Sequence, residues 1–210
     1  MQNTWDRNPA VQKRIKTIPS YSSTLTTTNQ NSTPQPANTM HEDAQLTGVT
    51  RNGVVLVMAG ASLPHNEIVA NVLSSWRTAL RHTDCGAYGS DLRVQTPAGL
   101  YTYPDISVIC GHVQLVPDRS ATATNPVILV DVLPDATEEY DRGDKFTLYK
   151  SIPTLLHYIL ISQTEVLVED FERIQPEEWQ RRELRELNQV VQIPTPALAI
   201  ALSDIFRRVF

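Results

Sequence analysis

The chain of 210 residues has only two cysteines, Cys85 and Cys110, and they form no C-x-x-C pair. Their spacing therefore argues against zinc coordinated by cysteine. Two cysteines without a pattern are typical of free thiols in a reducing compartment, and a single disulfide is the less favoured interpretation.

Long apolar runs are also absent. No stretch reaches the roughly 18 apolar residues of a membrane span, and the basic N-terminus lacks the apolar core of a secretory signal peptide. We therefore expect a cytoplasmic protein with no membrane partner.

The chain has no excess of positive charge, because 18 Lys and Arg residues stand against 23 Asp and Glu residues, for a net charge of −5 at pH 7. Nonspecific binding of nucleic acid depends mainly on Lys and Arg, so this composition argues against a broad phosphate-binding surface. It does not exclude a small nuclease site, in which acidic residues surround a metal ion. The basic pair Arg181–Arg182 is interpreted as a solvated face rather than a DNA contact.

Residues 1–45 are predicted to form a disordered or extended polar arm. The segment SYSSTLTTTNQNSTPQPANT is rich in Ser, Thr, Asn, Gln and Pro. Such a segment buries too little apolar surface to offset the entropy lost on ordering. The alternative is an extended arm that packs on a partner or a neighbouring subunit. Residues 46–210 are predicted to form one folded domain.

The apolar pattern of residues 46–210 predicts an α/β (α+β) domain. From Asn66 to His82, apolar residues recur every three or four positions, which predicts an amphipathic helix. A second helix is predicted at roughly 138–150. The clearest predicted strands are Ile106–Cys110, Val127–Leu133 and His157–Ser162. Helices placed between strands indicate a sheet layered with helices.

Two acidic residues stand out in this pattern. Asp131 interrupts the apolar run Val127–Leu133, which is typical of a central strand buried on both faces, and a buried carboxylate is costly unless it is paired or metal-bound. Asp105 follows Pro104 at the start of another strand. If the two strands are neighbours, both acids can reach one Mg²⁺ ion, which prefers carboxylate oxygens. The structural alternatives are a pair of Asp131 with Lys145 and an Asp105 held by backbone donors.

Three segments of this chain resemble a known family. They are MAGASLPHNEIVANVL, YTYPDISVICG and NPVILVDVLPDATEEYDRGDKFTLYKSIPTLLHYILIS. They are similar to the Uma-type restriction endonuclease family within the PD-(D/E)xK superfamily, and the resemblance covers roughly residues 54–210. It implies a restriction-endonuclease-like fold, in which helices flank a mixed β-sheet, and a metal-dependent nuclease that hydrolyses DNA phosphodiester bonds.

The resemblance also implies the residues of the site. Asp105 and Asp131 would ligate Mg²⁺, or alternatively Mn²⁺, together with the backbone carbonyl of Val132. The superfamily lysine usually follows the second acid by two residues, where this chain has Leu133. Members of this family supply the lysine from the following helix instead, which implies Lys145 as the third catalytic residue.

Three accessory positions follow from the same resemblance. His65 and Glu67 begin the first long helix, where the superfamily often has an accessory acid, and Tyr149 lies one helical turn after Lys145. As alternatives, His65 and Glu67 are surface residues at a helix start, and Tyr149 is a core aromatic residue. The chain departs from the family pattern at Asp131, where members commonly have Glu.

The leading prediction is therefore an endonuclease with DNA as its partner. A homodimer is plausible, because cleavage of both strands needs two sites and soluble oligomers commonly have two-fold symmetry. Two alternatives stay open. One is a catalytically inactive nuclease-fold protein that works in binding or assembly, which the negative charge favours. The other is a nuclease that acts on RNA.

Overall fold

A computed structural model describes the backbone of residues 48–51 and 54–57, and the backbone and side chains of residues 62–117, 121–133 and 141–210. The predicted polar arm, residues 1–45, lies outside the described residues. The described strands are, in chain order, β1 (Gly48–Arg51), β2 (Val54–Val57), β3 (Cys85–Gly89), β4 (Arg93–Gln95), β5 (Tyr101–Thr102), β6 (Ile106–Cys110), β7 (Thr122–Ala123), β8 (Ile128–Leu133), β9 (His157–Ser162), β10 (Val168–Gln175), β11 (Glu178–Leu184), β12 (Val190–Ile193) and β13 (Leu198–Ala201).

The central sheet has six strands in the order β11–β10–β9–β8–β6–β3. Strands β8 and β9 are parallel, and the other neighbours are antiparallel. A smaller sheet has the order β2–β1–β5–β4–β7, and β12 pairs with β13. The prediction of a mixed sheet with flanking helices is confirmed.

The longest described helix, α1, spans Leu63–Leu80. It starts earlier than predicted because the Ser62 side chain accepts a hydrogen bond from the backbone N–H of His65 at 3.1 Å, and a proline stands in the first turn. A π-helical turn, Asp141–Lys145, continues into the α-helical turn Phe146–Tyr149, and we call these nine residues the site helix. A last short helix spans Leu202–Ile205. None of the described helices is long and apolar enough to cross a membrane.

Strand β8 is buried along its whole length, as predicted for a central strand. Its residues Ile128, Val130 and Val132 share a core cluster with the apolar face of α1. The alternate residues Leu129 and Leu133 belong to a second cluster, which includes residues of the site helix. The sheet therefore separates two apolar layers, and Asp131 lies on the side of the site helix because side chains alternate along a strand.

The interpretation of Cys85 and Cys110 as free thiols is wrong. The two residues lie directly opposite each other on the antiparallel strands β3 and β6 and form a disulfide, with 3.9 Å between their Cα atoms. Their separation of 25 positions along the chain does not reveal this contact. The strand register creates it.

Candidate active site

The two acids singled out in the sequence meet at one end of the central sheet. Strands β6 and β8 are antiparallel neighbours in which Ile106 lies opposite Val130. Extending this register by one residue places Asp105 opposite Asp131. Both residues are buried, with exposed fractions of 9% and 4%. A metal site shared by Asp105 and Asp131 required these two strands to be neighbours, and they are.

The two oxygens of Asp131 have different surroundings. Oδ2 accepts hydrogen bonds from the Tyr158 hydroxyl at 2.8 Å and from the Lys145 ammonium at 2.8 Å. Within the described part of the chain, no hydrogen bond reaches Oδ1. The carboxylate is thus held in a fixed orientation by one oxygen, and the other oxygen can take a cation or a water molecule.

Lys145 links two carboxylates. Its Nζ lies 2.8 Å from Asp131 Oδ2 and 2.8 Å from Asp141 Oδ1, one helical turn earlier. Burial lowers the pKa of Lys145, but the neighbouring groups, with the negative charge of Asp131 first among them, together outweigh burial and raise the pKa well above its usual value. Lys145 therefore carries a positive charge at neutral pH. The pair with Asp131 that the sequence suggested therefore exists, together with a second pair with Asp141.

Asp105 is held by a backbone amide and by His65. Its Oδ2 accepts a hydrogen bond from the Val132 N–H at 2.7 Å, and its Oδ1 lies 3.1 Å from His65 Nε2. The N–H and C=O of one strand residue point to the same side, so the Val132 carbonyl is directed toward Asp105. Burial lowers the pKa of His65, but the hydrogen bond and charge of Asp105 and the charge of Asp131 together outweigh burial, so the net shift of the pKa is upward.

The positive charge of Lys145 does not fully compensate for the burial of the Asp131 carboxylate. Burial raises the pKa of Asp131 to about 6, with smaller upward effects from Asp141 and Asp105, although Lys145 opposes the shift. A cation bound beside Asp131 would stabilise the ionised form of this carboxylate. The carboxylates of Asp105 and Asp131 and the Val132 carbonyl supply hard oxygen donors of the kind that Mg²⁺ takes.

The described residues contain no group of three or more His, Cys, Asp or Glu side chains placed to hold a metal ion. Two carboxylates and one carbonyl would leave the other coordination positions of an Mg²⁺ ion to water and substrate oxygens, as is common for this ion. This set of donors does not fit a structural metal enclosed by protein side chains.

The pKa of Asp131 predicts an unusual effect of pH on stability. Its ordinary value is 3.8 and its folded value is about 6, so the folded protein holds this proton more tightly than the unfolded chain. The stabilising effect is fully present below pH 4 and is lost as the pH rises through about 6. A shift of about two pKa units corresponds to about 3 kcal/mol.

The measurement compares wild type with Asp131→Asn by urea unfolding at several pH values in a chelator. We expect wild type to lose up to about 3 kcal/mol relative to the variant between pH 4 and pH 7. In wild type, added Mg²⁺ should raise the melting temperature more at pH 7.5 than at pH 5. A difference between the two proteins that does not change with pH would contradict the prediction.

The accessory residues occupy different places. His65 touches Asp105, whereas no hydrogen bond or ion pair among the described residues includes the half-buried Glu67. Tyr149 is completely buried, and its hydroxyl lies 3.2 Å from Thr102 Oγ1. Burial raises the pKa of Tyr149, so this phenol stays protonated. The position of Tyr149 is that of a core aromatic residue beside Lys145, with 5.7 Å from its ring centre to the ammonium.

Sequence reasoning missed Tyr158. Its side chain lies on the same face of the sheet as Asp131, because Tyr158 pairs with Leu129 across the parallel strands. The hydroxyl of Tyr158 then reaches the carboxylate diagonally. The available signal was a phenol within the apolar run HYILIS, since a buried hydroxyl usually needs a partner.

The six-stranded mixed sheet with its flanking helices is the fold of a restriction-endonuclease-like α/β domain. The chain belongs to the Uma2 family, described as "Putative restriction endonuclease", and the match spans residues 40–203.

A solved structure supports the fold. The chain is similar to the crystal structure of "a putative nuclease belonging to DUF820" from Anabaena variabilis, with a TM-score of 0.66 and 16% identity, over 80% of this chain and 93% of that one. Two relatives come from Synechocystis sp. The "Uncharacterized protein slr1290" is 35% identical over 61% of this chain and 67% of its own. The "Uncharacterized protein sll1609" is 28% identical over 67% of this chain and 80% of its own.

Proposed function

We propose that this protein is a metal-dependent nuclease that hydrolyses DNA phosphodiester bonds, with Mg²⁺ as its cofactor and Mn²⁺ as a substitute. The observation that carries the proposal is the arrangement around Asp131. Lys145 and Tyr158 hold one oxygen of this buried carboxylate, and Asp105 lies opposite it on the neighbouring strand. Membership of a family described as restriction endonucleases supports the same reaction class.

Asp105, Asp131 and the Val132 carbonyl are the proposed ligands of the metal ion. When bound, Mg²⁺ would polarise the scissile phosphate and help to form a hydroxide nucleophile. The Val132 N–H and His65 fix the orientation of the Asp105 carboxylate, and Tyr158 fixes that of Asp131.

Lys145 is the proposed electrostatic catalyst. Asp131 and Asp141 hold its ammonium at the edge of the site, where it can stabilise negative charge that develops on the phosphate. Because the ammonium stays protonated, Lys145 is suited to charge stabilisation and to orienting a water molecule. It is not suited to accepting a proton.

The first test is a cleavage assay on circular, linear, single-stranded and branched DNA and on RNA, with Mg²⁺, Mn²⁺ or chelator. Asp131→Asn should lower the cleavage rate by about 100-fold or more, because it removes a ligand charge at the reacting centre. The matched control is Asp170→Asn. Asp170 is equally buried but lies on β10, two strands away from β8, and faces the other side of the sheet, where it pairs with His157.

The outcomes separate the candidate functions. Metal-dependent cleavage of DNA that is lost in Asp131→Asn and kept in Asp170→Asn supports the proposal. Cleavage of RNA alone would replace DNA as the substrate. If calorimetry detects metal binding but no substrate is cut, the inactive binding protein becomes the better explanation. If the protein neither binds a metal ion nor cleaves any of these substrates, the proposal is contradicted.

A further inference from the structure

A second charged cluster lies beside the candidate active site. Its centre is Glu169 of β10, whose side chain is completely buried. The Arg142 guanidinium of the site helix contacts Glu169 Oε2 at 2.5 Å, and the Arg181 guanidinium of β11 contacts Oε1. One buried carboxylate thus holds two arginines, and Arg181 also pairs with the exposed Glu183 of its own strand.

The strand register places this cluster in line with Asp131. Asp131 lies opposite Leu160 across β8 and β9, and Leu160 lies opposite Glu169 across β9 and β10. The Cα atoms of Asp131 and Glu169 are therefore about 10 Å apart, which is two strand spacings. Arg142 also directly follows Asp141, the partner of Lys145. The two arginines extend the candidate active site along one face of the sheet.

Stability alone gives a poor account of this cluster. Burying a carboxylate costs several kcal/mol, and apolar residues in place of a buried ion pair are often at least as stabilising. Glu169 does, however, fix two planar guanidinium groups that keep 27% and 48% of their side-chain surface exposed. Guanidinium groups bind phosphate oxygens through paired hydrogen bonds, and a fixed group loses less entropy on binding.

The neighbouring residue Arg182 shows that the orientation of Arg181 is specific. Arg182 points to the opposite face of the sheet, where it contacts the buried Asp170 at 2.6 Å and the backbone of Gln192. The side chains of Arg181 and Arg182 are both partly exposed, but they lie on opposite faces of the sheet. Only Arg181 lies on the side of Asp131.

We propose that Arg142 and Arg181, held by Glu169, form a subsite for a phosphate that neighbours the scissile one in the nucleic-acid strand. This inference rests on the proposed nuclease function and extends it to the way in which a polymeric substrate is positioned. Because one strand rises about 3.4 Å per nucleotide, the bound phosphate lies one to three nucleotides from the cleaved bond.

The test compares two substrates that differ in this feature. An oligodeoxynucleotide has phosphates beside the cleaved bond, whereas bis(p-nitrophenyl) phosphate has a single phosphodiester and no neighbouring phosphate. Arg142→Gln and Arg181→Gln should each lower kcat/KM about tenfold for the oligonucleotide, mainly through KM, and change it less than twofold for the small ester. The salt dependence of oligonucleotide binding should weaken by about one unit of log–log slope per lost contact.

Methylphosphonate substitution tests the contact directly. Neutralising the phosphate that occupies the subsite should cost wild type about tenfold or more in kcat/KM. It should cost Arg181→Gln less, because only Arg142 remains, and should cost the double variant Arg142→Gln/Arg181→Gln nothing further. Arg182→Gln is the matched control, because it removes the same charge from the next residue of the same strand on the other face. Arg181→Lys keeps a cation beside Glu169 and removes only the planar guanidinium group. A loss of kcat/KM in this variant is therefore due to the lost guanidinium geometry and not to an unpaired, buried Glu169 that unfolds the protein.

Several results would overturn the subsite. One is an equal loss of kcat/KM on both substrates, and another is no loss on either. A loss in Arg182→Gln that matches the loss in Arg181→Gln would also overturn it. If wild type cleaves neither substrate, the nuclease proposal fails, and fluorescence anisotropy of oligonucleotide binding then decides the subsite. An unchanged salt slope in Arg142→Gln and Arg181→Gln overturns it, and a weaker slope in both supports it.

Discussion

Lys145→Met is expected to lower kcat for phosphodiester cleavage by about 100-fold or more while the affinity for the divalent cation is kept. The ammonium is a charge held beside Asp131 in a buried site, where electrostatic stabilisation of a transition state is strongest. The cation ligands proposed here are oxygens, so the variant keeps them. It also removes a positive charge that competes with the metal for Asp131.

The matched control for this prediction is Lys150→Met. Lys150 caps the C-terminal end of the same helix, is exposed, and lies 4.3 Å from the Phe146 ring centre. The same chemical change there should leave kcat within about twofold. Circular dichroism and the melting temperature establish that both variants are folded at the assay temperature. Near-normal cleavage by folded Lys145→Met, or metal affinity lost together with activity, would contradict the assigned role.

Trp76→Ala is expected to destabilise the protein by about 3–5 kcal/mol. Trp76 is 1% exposed and is among the largest completely buried side chains in the layer between α1 and the central sheet. Its removal leaves a cavity that the surrounding strands cannot fill without moving. Since the same helix carries His65 to Asp105, we expect the change to loosen the site as well. Urea unfolding at pH 7 with the disulfide intact measures the effect.

Trp76→Phe separates the effect of the cavity on stability from the effect of losing the indole N–H. The Trp76 Nε1 is buried and has no hydrogen-bond partner within the described residues. Phenylalanine keeps most of the packing and removes this unsatisfied donor, so the cost should be about 1–2 kcal/mol. A loss in Trp76→Phe as large as that in Trp76→Ala would show that apolar packing is not the reason for the effect.

Periodicity predicted the elements that are apolar on at least one face. The strands around Ile106, Val130 and Ile159 and the helix through Trp76 were found because burial repeats with a regular period along the chain. Strand β11, Glu178–Leu184, was missed because it lies at the edge of the sheet and its residues are mostly charged or polar. Edge strands commonly carry charges that prevent further strand pairing, and this removes the apolar signal.

The acids of the site could be found from the sequence because they violate a local rule. Asp131 is conspicuous in an apolar run, and Asp105 follows a proline at the start of a strand. The contact of Lys145 with Asp141 follows from the spacing of four residues along one helix. Its contact with Asp131 is tertiary, because Asp131 lies on a strand of the sheet. The roles of these residues in catalysis stay predictions until the variants are assayed.

The sequence by itself determined which segments become strands and helices, which acids occupy buried strands, and which family the chain resembles, because these depend on local pattern. Tertiary structure alone decided which distant residues meet. The disulfide between Cys85 and Cys110 and the hydrogen bond from Tyr158 to Asp131 both depend on strand register. The grouping of Arg142 and Arg181 around Glu169 depends on register too. Register follows from the order of strands in the sheet and from the fit of two apolar layers, and spacing along one chain encodes neither.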